Sequence, residues 1–206
     1  MARQKREWDP RMYYHVVMRG NNRQDIFKNE ADMAEFFRVM HYSYMKQPFT
    51  LLAYCVMTNH YHLLIRSPEA PLGKVMGHIN RRYSDYYKKK YQYSGYLYGS
   101  RYFAKCAEDP IGILAVSRYI HRNPIETALP MVNRMEDYPY SSYAFYSRNI
   151  SSPYPFLYLE LLPSLLSPGY GHSTEGYCRY CEEVDQRNLL EIPKLIQALD
   201  YSASME

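Results

Sequence analysis

The order in which two periodicities follow one another constrains this chain most. Residues 12–19 are β-branched and aromatic in character and read as a strand. Gly20, Asn21, Asn22 and Arg23 break it as a polar turn. From Glu30 to Lys46 apolar side chains recur every three or four residues, at Met33, Phe36, Phe37, Met40 and Tyr44, which predicts an amphipathic helix. Pro48 ends it. Residues 50–57 and 60–66 read as two more strands joined at Thr58-Asn59. Pro71 opens a helical stretch to about Lys90, Gly95 and Gly99 mark a loop, and 101–107 reads as a fourth strand. Asp109-Pro110 starts a last core helix, with aspartate capping the free amides and proline at the first helical position. That helix is expected to run to Asn123, where Pro124 stops or kinks it. The order β-α-β-β-α-β-α belongs to the α+β class. Its first six elements are those of a split β-α-β, ferredoxin-like (RRM-like) sandwich, an antiparallel sheet with helices packed on it.

Length and charge set further bounds. A chain of 206 residues suits one full core plus an appendage. From about residue 148 the composition changes to Ser-Pro-rich turns and short acidic helical stretches, so the expected division is a main domain over 1–150 and an acidic C-terminal extension over 151–206. Residues 156–206 carry a net charge of −5 and residues 1–155 a net of +9. The basic front therefore suits a polyanion, and residues 151–206 are expected to be dispensable for forming any metal site in the front. No apolar run approaches the roughly 20 residues needed to span a bilayer, and the basic N-terminus lacks the apolar stretch of a secretory signal. The expectation is a cytoplasmic protein with no membrane partner. Cys55 and Cys106 read as small strand residues. Cys178 and Cys181 form a lone C-x-x-C, which cannot complete a tetrahedral zinc site.

Three local patterns could carry chemistry. In His60-Tyr61-His62, alternation along a strand turns both imidazoles to one face and Tyr61 to the other, so the pair could hold one divalent ion. By itself, His-x-His is equally the mark of two polar residues on a half-exposed strand. On the last core helix, Ile113, Val116 and Ile120 form the expected buried stripe. Tyr119 and Asn123, one turn apart, share its flank. Between Asn80 and Lys105 lie seven basic residues, one acid and eight tyrosines. Basic groups neutralise phosphates and aromatic faces stack on unpaired bases, although tyrosines on a helix also pack inward.

Together these patterns resemble the HUH single-tyrosine transposases, in the branch of the REP-associated tyrosine transposases and related insertion-sequence enzymes. The resemblance runs from about Tyr13 to Tyr143. It is carried by His15-Val16 with Arg19-Gly20-Asn21, and by the run from Met57 through His60-Tyr61-His62 to Leu64. It continues in Gly95-x-Leu97 with Arg101-Tyr102, in Arg118-Tyr119-Ile120-x-x-Asn123-Pro124, and in Asp137-Tyr138-Pro139-x-Ser141-Ser142-Tyr143. Three positions depart from the pattern. A tyrosine stands between the histidines where an aliphatic residue is usual, and Tyr98 and Tyr140 replace tryptophans.

The resemblance implies a metal-dependent enzyme that nicks and rejoins single-stranded or hairpin DNA through a 5′-phosphotyrosine, with Tyr119 as nucleophile. It implies a divalent metal, Mg2+ or Mn2+, on His60, His62 and Asn123. Arg19, Asn21, Arg81, Arg82, Lys88, Arg101 and Lys105 are the expected DNA contacts, and repetitive extragenic palindromes are a candidate target. Members of the branch differ in whether they form a homodimer with exchanged tyrosine helices. The competing reading is a non-catalytic single-stranded nucleic-acid-binding module. It would keep the basic, tyrosine-rich segment but have no use for the histidine pair with Tyr119.

Overall fold

The structure, a computed structural model, describes residues 8–183. Strands β1 (Tyr13–Arg19), β2 (Thr50–Val56), β3 (His60–Arg66) and β4 (Phe103–Ala107) form one sheet in the order β2-β3-β1-β4. Every neighbouring pair is antiparallel, which is the ferredoxin-like arrangement expected from the order of the elements. Helices α1 (Glu30–Lys46), α2 (Leu72–Tyr91) and α3 (Pro110–Glu126) lie against it, followed by the short helices α4 (Tyr143–Ser147), α5 (Leu161–Ser164) and α6 (Thr174–Glu182). No helix among the described residues is long and apolar enough to cross a membrane.

Period-two alternation builds two cores from the same strands. Val16, Met18, Tyr54, Tyr61, Leu63 and Ile65 face α1 and α2 and meet Met33, Phe36, Met40, Val75 and Ile79. Tyr13, Cys55 and Leu64 face the other way and meet Leu114 and Ile120 of α3. His60 and His62 belong to this second face, because β3 alternates against Tyr61 and Leu63. A functional histidine pair can therefore sit only between the sheet and α3.

One buried carboxylate decides where the tyrosines of α2 point. Asp32, fully buried in α1, accepts from the hydroxyls of Tyr86 (3.0 Å) and Tyr91 (2.7 Å), from the Lys28 amide (2.8 Å) and from Lys90 Nζ (2.6 Å). Burial alone would raise its pKa, but these donors together hold it below the ordinary carboxylate range. Tyr83 and Tyr87 are also inward, with hydroxyls on the carbonyls of Ile26 and Asp25. Four of the eight tyrosines in the basic segment thus turn their hydroxyls to α1 and the turn before it.

Helix α3 begins as its sequence requires. The Asp109 side chain accepts from the Gly112 amide at 2.7 Å, with Pro110 next to it. Its other end differs from expectation, since the helix passes through Pro124 to Glu126. A proline so close to the end removes one hydrogen bond where few remain to be made. The buried stripe also differs. Leu114, Ser117, Ile120 and His121 are buried, whereas Ile113 and Val116 are only half-buried. The reason lies in what covers α3.

The composition change near residue 148 is not accompanied by a break in packing. Phe156 and Leu157 join the first core, and Leu162, Leu166, Tyr177 and Cys181 join the second. The main chain of 156–158 bonds both backbone groups of Leu51 in β2. Helix α6 lies on α3, where the Tyr177 hydroxyl donates to Ser117 Oγ at 2.9 Å and meets His121 Nδ1 at 3.0 Å. Arg122 donates to the Cys181 carbonyl at 2.8 Å, and Arg118 to that of Glu183. Residues 151–183 are therefore part of the domain; the rest of the expected extension, 184–206, lies outside the described residues. All four cysteines are free thiols, and Cys181 is a core side chain of α6.

Candidate active site

Register places the histidines. Arg19 of β1 stands opposite His60 and Val17 opposite His62, so His15, Val17 and Arg19 share the face of the pair. Cys55 of β2 stands opposite His62 from the other side, and Lys105 of β4 opposite His15. The His60 and His62 ring centroids are 4.9 Å apart, with the rings nearly perpendicular.

Each imidazole is held through its Nδ1. His60 Nδ1 meets Asn59 Oδ1 at 2.6 Å, and because that oxygen only accepts, the nitrogen donates. His62 Nδ1 meets His15 Nε2 at 3.0 Å, and the two rings stack at 5.3 Å. His62 Nε2 is buried without a hydrogen-bond partner. Burial, reinforced by the neighbouring His60 and His15 rings and Arg19, holds His62 well below its ordinary pKa. An orphaned, neutral nitrogen of this kind fits a metal ligand.

Tyr119 closes the site from α3. Its ring is 5.5 Å from His62 and 5.8 Å from His15, edge-on to both. Burial pushes its hydroxyl up to about 12, opposed by a hydrogen bond from Asn123 and by the charge of Arg19. At that value roughly one molecule in 10^5 is ionised at neutral pH, so this hydroxyl would need assistance to act as a nucleophile. Asn123 is buried, with Nδ2 on the Tyr119 carbonyl at 2.9 Å, which leaves the amide oxygen as its ligating end. Among the described residues no three His, Cys, Asp or Glu side chains gather to hold a metal. The imidazoles of His60 and His62 lie side by side on β3, and Asn123 follows Tyr119 by one turn of α3.

The expected DNA contacts divide. Arg19 is part of the site through its charge on Tyr119 and His62, and exposed Lys105 borders it on β4. Asn21 leads the turn after Gly20, where its amide bonds the Leu97 carbonyl and ties that turn to the 96–102 loop. Gly20 donates to the Asn59 carbonyl, just before His60, and a Cβ there would collide with the Gln24 carbonyl and Ile26. Lys88 and Arg101 line a cleft of about 360 Å³ on the other side of the sheet, with Gly77, Asn80 and Tyr96. Tyr96 is 82 % exposed. Arg81 is exposed on α2, and Arg82 packs over the Tyr42 ring of α1 at 3.9 Å.

Sequence reasoning did not assign His15 to the site. It is 4 % exposed and bonded to His62, and its signal was its parity with Val17 and Arg19 on the strand paired with β3.

The family model described as "Transposase IS200 like" matches residues 10–123, more than half the chain, from the entry to β1 through Asn123. The chain belongs to the IS200-like transposase family. Among solved structures it is similar to one titled as a REP-associated tyrosine transposase bound to a REP hairpin. The TM-score is 0.60 and the identity 15 %, with 74 % of this chain and 89 % of that one covered. No curated protein matches it. The family match spans every element that brings His60, His62, Tyr119 and Asn123 together. The motif from Asp137 to Tyr143 follows it and anchors the chain to β2. There the Tyr138 hydroxyl donates to the Val56 carbonyl, and Ser142 Oγ bonds the Tyr54 backbone and His121.

Proposed function

We propose that this transposase-family chain cuts and rejoins single-stranded or hairpin DNA through Tyr119. The observation that carries this reading is the Tyr119 ring standing edge-on to His62, whose outward nitrogen has no partner within the protein. The Tyr119 oxygen attacks the scissile phosphorus, the bond to the 3′-oxygen breaks, and that oxygen leaves as a 3′-hydroxyl after taking up a proton. The DNA then remains attached through a 5′-phosphotyrosine. One phosphodiester replaces another, so the reverse step by a new 3′-hydroxyl needs no nucleotide cofactor. A divalent ion, magnesium or manganese, on His60, His62 and Asn123 would offset phosphate charge and lower the cost of ionising the tyrosine. Arg19 adds fixed positive charge beside the same phosphate, and Asn123 lies one turn after the tyrosine with its Nδ2 on the Tyr119 backbone carbonyl.

The first test incubates the full chain with hairpin and single-stranded DNA, including REP-type hairpins, in manganese, and looks for an alkali-stable protein–DNA adduct on a denaturing gel. An adduct is expected. Its absence with every substrate, despite tight binding, would leave the non-catalytic binding module as the better reading. His60→Ala with His62→Ala should abolish both the adduct and manganese binding by calorimetry, while DNA affinity changes little.

Affinity should depend steeply on salt and favour unpaired DNA over duplex. Arg19, Lys88, Arg101 and Lys105 are the cations placed at the site and the cleft. Four phosphates neutralised on a single strand correspond to a loss of about 50-fold between roughly 50 and 200 mM salt. Titrations at two salt concentrations measure this, and equal affinity for duplex and single strand throughout would contradict it.

A further inference from the structure

We propose that His15 is a positioning residue that sets the tautomer of His62, so that His62 turns a lone pair outward at Nε2. The inference rests on the metal-site reading above. A hydrogen bond between two imidazole nitrogens contains one hydrogen, which belongs to one ring or the other. If His15 Nε2 carries it, His62 Nδ1 is the acceptor and the proton of a neutral His62 must sit on Nε2. That would place an unsatisfied donor in the interior and close the nitrogen to a metal. If His62 Nδ1 carries it, His15 Nε2 accepts, the donor is satisfied, and Nε2 is open for ligation. Only the second arrangement lets both histidines of the pair act as ligands.

His60 provides the comparison within the same site. Its Nδ1 is held by Asn59 Oδ1, an atom able only to accept, so its tautomer is fixed by the neighbour's chemistry. His62 sits one pleat deeper, 1 % exposed, beyond the reach of the turn that supplies Asn59. The fold provides its acceptor from the adjacent strand. His15 lies two residues from Val17, the direct partner of His62, and so takes the diagonal position on the same face. Both pair members are thereby held through Nδ1, and His62 stands beside the Tyr119 ring. Outer partners of this type align the ligand ring as well as its proton.

The test uses the full chain and manganese as probe. His15→Leu fills the volume without an acceptor and should weaken manganese binding by about 10- to 100-fold in calorimetry, with the melting transition retained. His15→Gln restores an acceptor near the position of Nε2 and should recover most of that affinity, which a purely space-filling role would not require. A long-range 1H–15N spectrum of the wild-type chain with zinc should show the hydrogen on Nδ1 of His62 and on Nδ1 of His15. Wild-type manganese affinity in His15→Leu, or a hydrogen on Nε2 of His15 in the spectrum, would overturn the proposal. Should His15→Leu fail to fold, the spectrum of the wild-type chain still decides. A wild type that binds no manganese sinks the metal-site reading itself, an outcome distinct from unchanged binding in the variant.

Discussion

Tyr119→Phe is expected to fold, bind DNA and form no covalent adduct. The substitution removes one oxygen from a half-buried ring whose packing against His15 and His62 is unchanged. Stability should fall by no more than about 1 kcal/mol, the usual net worth of a single hydrogen bond. With Tyr119 as the proposed nucleophile, cleavage should fall by about 10^4-fold or more, because the variant has no hydroxyl there to form the phosphotyrosine. Tyr83→Phe is the matched control. Its hydroxyl donates to the Ile26 carbonyl inside the first core, so this variant should lose about 1 kcal/mol and keep the adduct. The two variants thus cost similar stability and differ only in the chemistry. A denaturing gel together with thermal melts reads both. An adduct from Tyr119→Phe would mean that another of the 25 tyrosines is the nucleophile.

Deleting everything after residue 150 should abolish the native fold, contrary to what charge and composition suggest. Phe156, Leu162, Leu166, Tyr177 and Cys181 are each at most 3 % exposed. At roughly 1.5–3 kcal/mol for each large apolar side chain, their loss removes about 10 kcal/mol, comparable to the whole stability of a typical domain. The deletion also strands His121 and Ser117, which bond Tyr177, in the interior of α3. Circular dichroism and a melting curve measure the result, and a cooperative transition at the wild-type temperature would refute it. Tyr177→Phe is the milder probe. It keeps the ring, breaks the link to both partners, and should cost about 1–3 kcal/mol.

The contrast between these regions explains what was legible in the sequence. Strand and helix order was readable because each element carries its own periodicity, and α1 begins and ends where Glu30, Lys46 and Pro48 imply. The shared face of His60 and His62 followed from alternation alone. The choice of Tyr119 did not, since a tyrosine flanking a helix stripe has no local mark of reactivity; it came from the motif around it. His15 was legible as strand but not as site, because its role depends on register across two strands. The tyrosines of α2 were ambiguous for a similar reason. Whether Tyr86 and Tyr91 meet water or protein is settled by Asp32, more than 50 residues earlier. The covering of α3 was hidden most completely. Its contacts are made by Ser117, His121, Ser142 and Tyr177, polar residues that hydropathy assigns to the surface and that are buried only as a mutually bonded set.

The segment that pairs with Leu51 has a consequence for how molecules of this kind meet one another. An outer strand with unused amides and carbonyls is a template on which another chain can add and start an aggregate. Along β2 that template is occupied: Leu51 by Phe156 and Tyr158, Tyr54 by Ser142, and Val56 by Tyr140. At the opposite edge β4 is only five residues long, with exposed Lys105 at its centre, a form of protection that relies on shortness and charge. The sheet is therefore guarded on one side by the chain's own later residues. Clipping between Asn149 and Phe156 would loosen the strip over Leu51 while Tyr140 and Ser142 stay in place, so a nicked molecule should come out of solution sooner than an intact one.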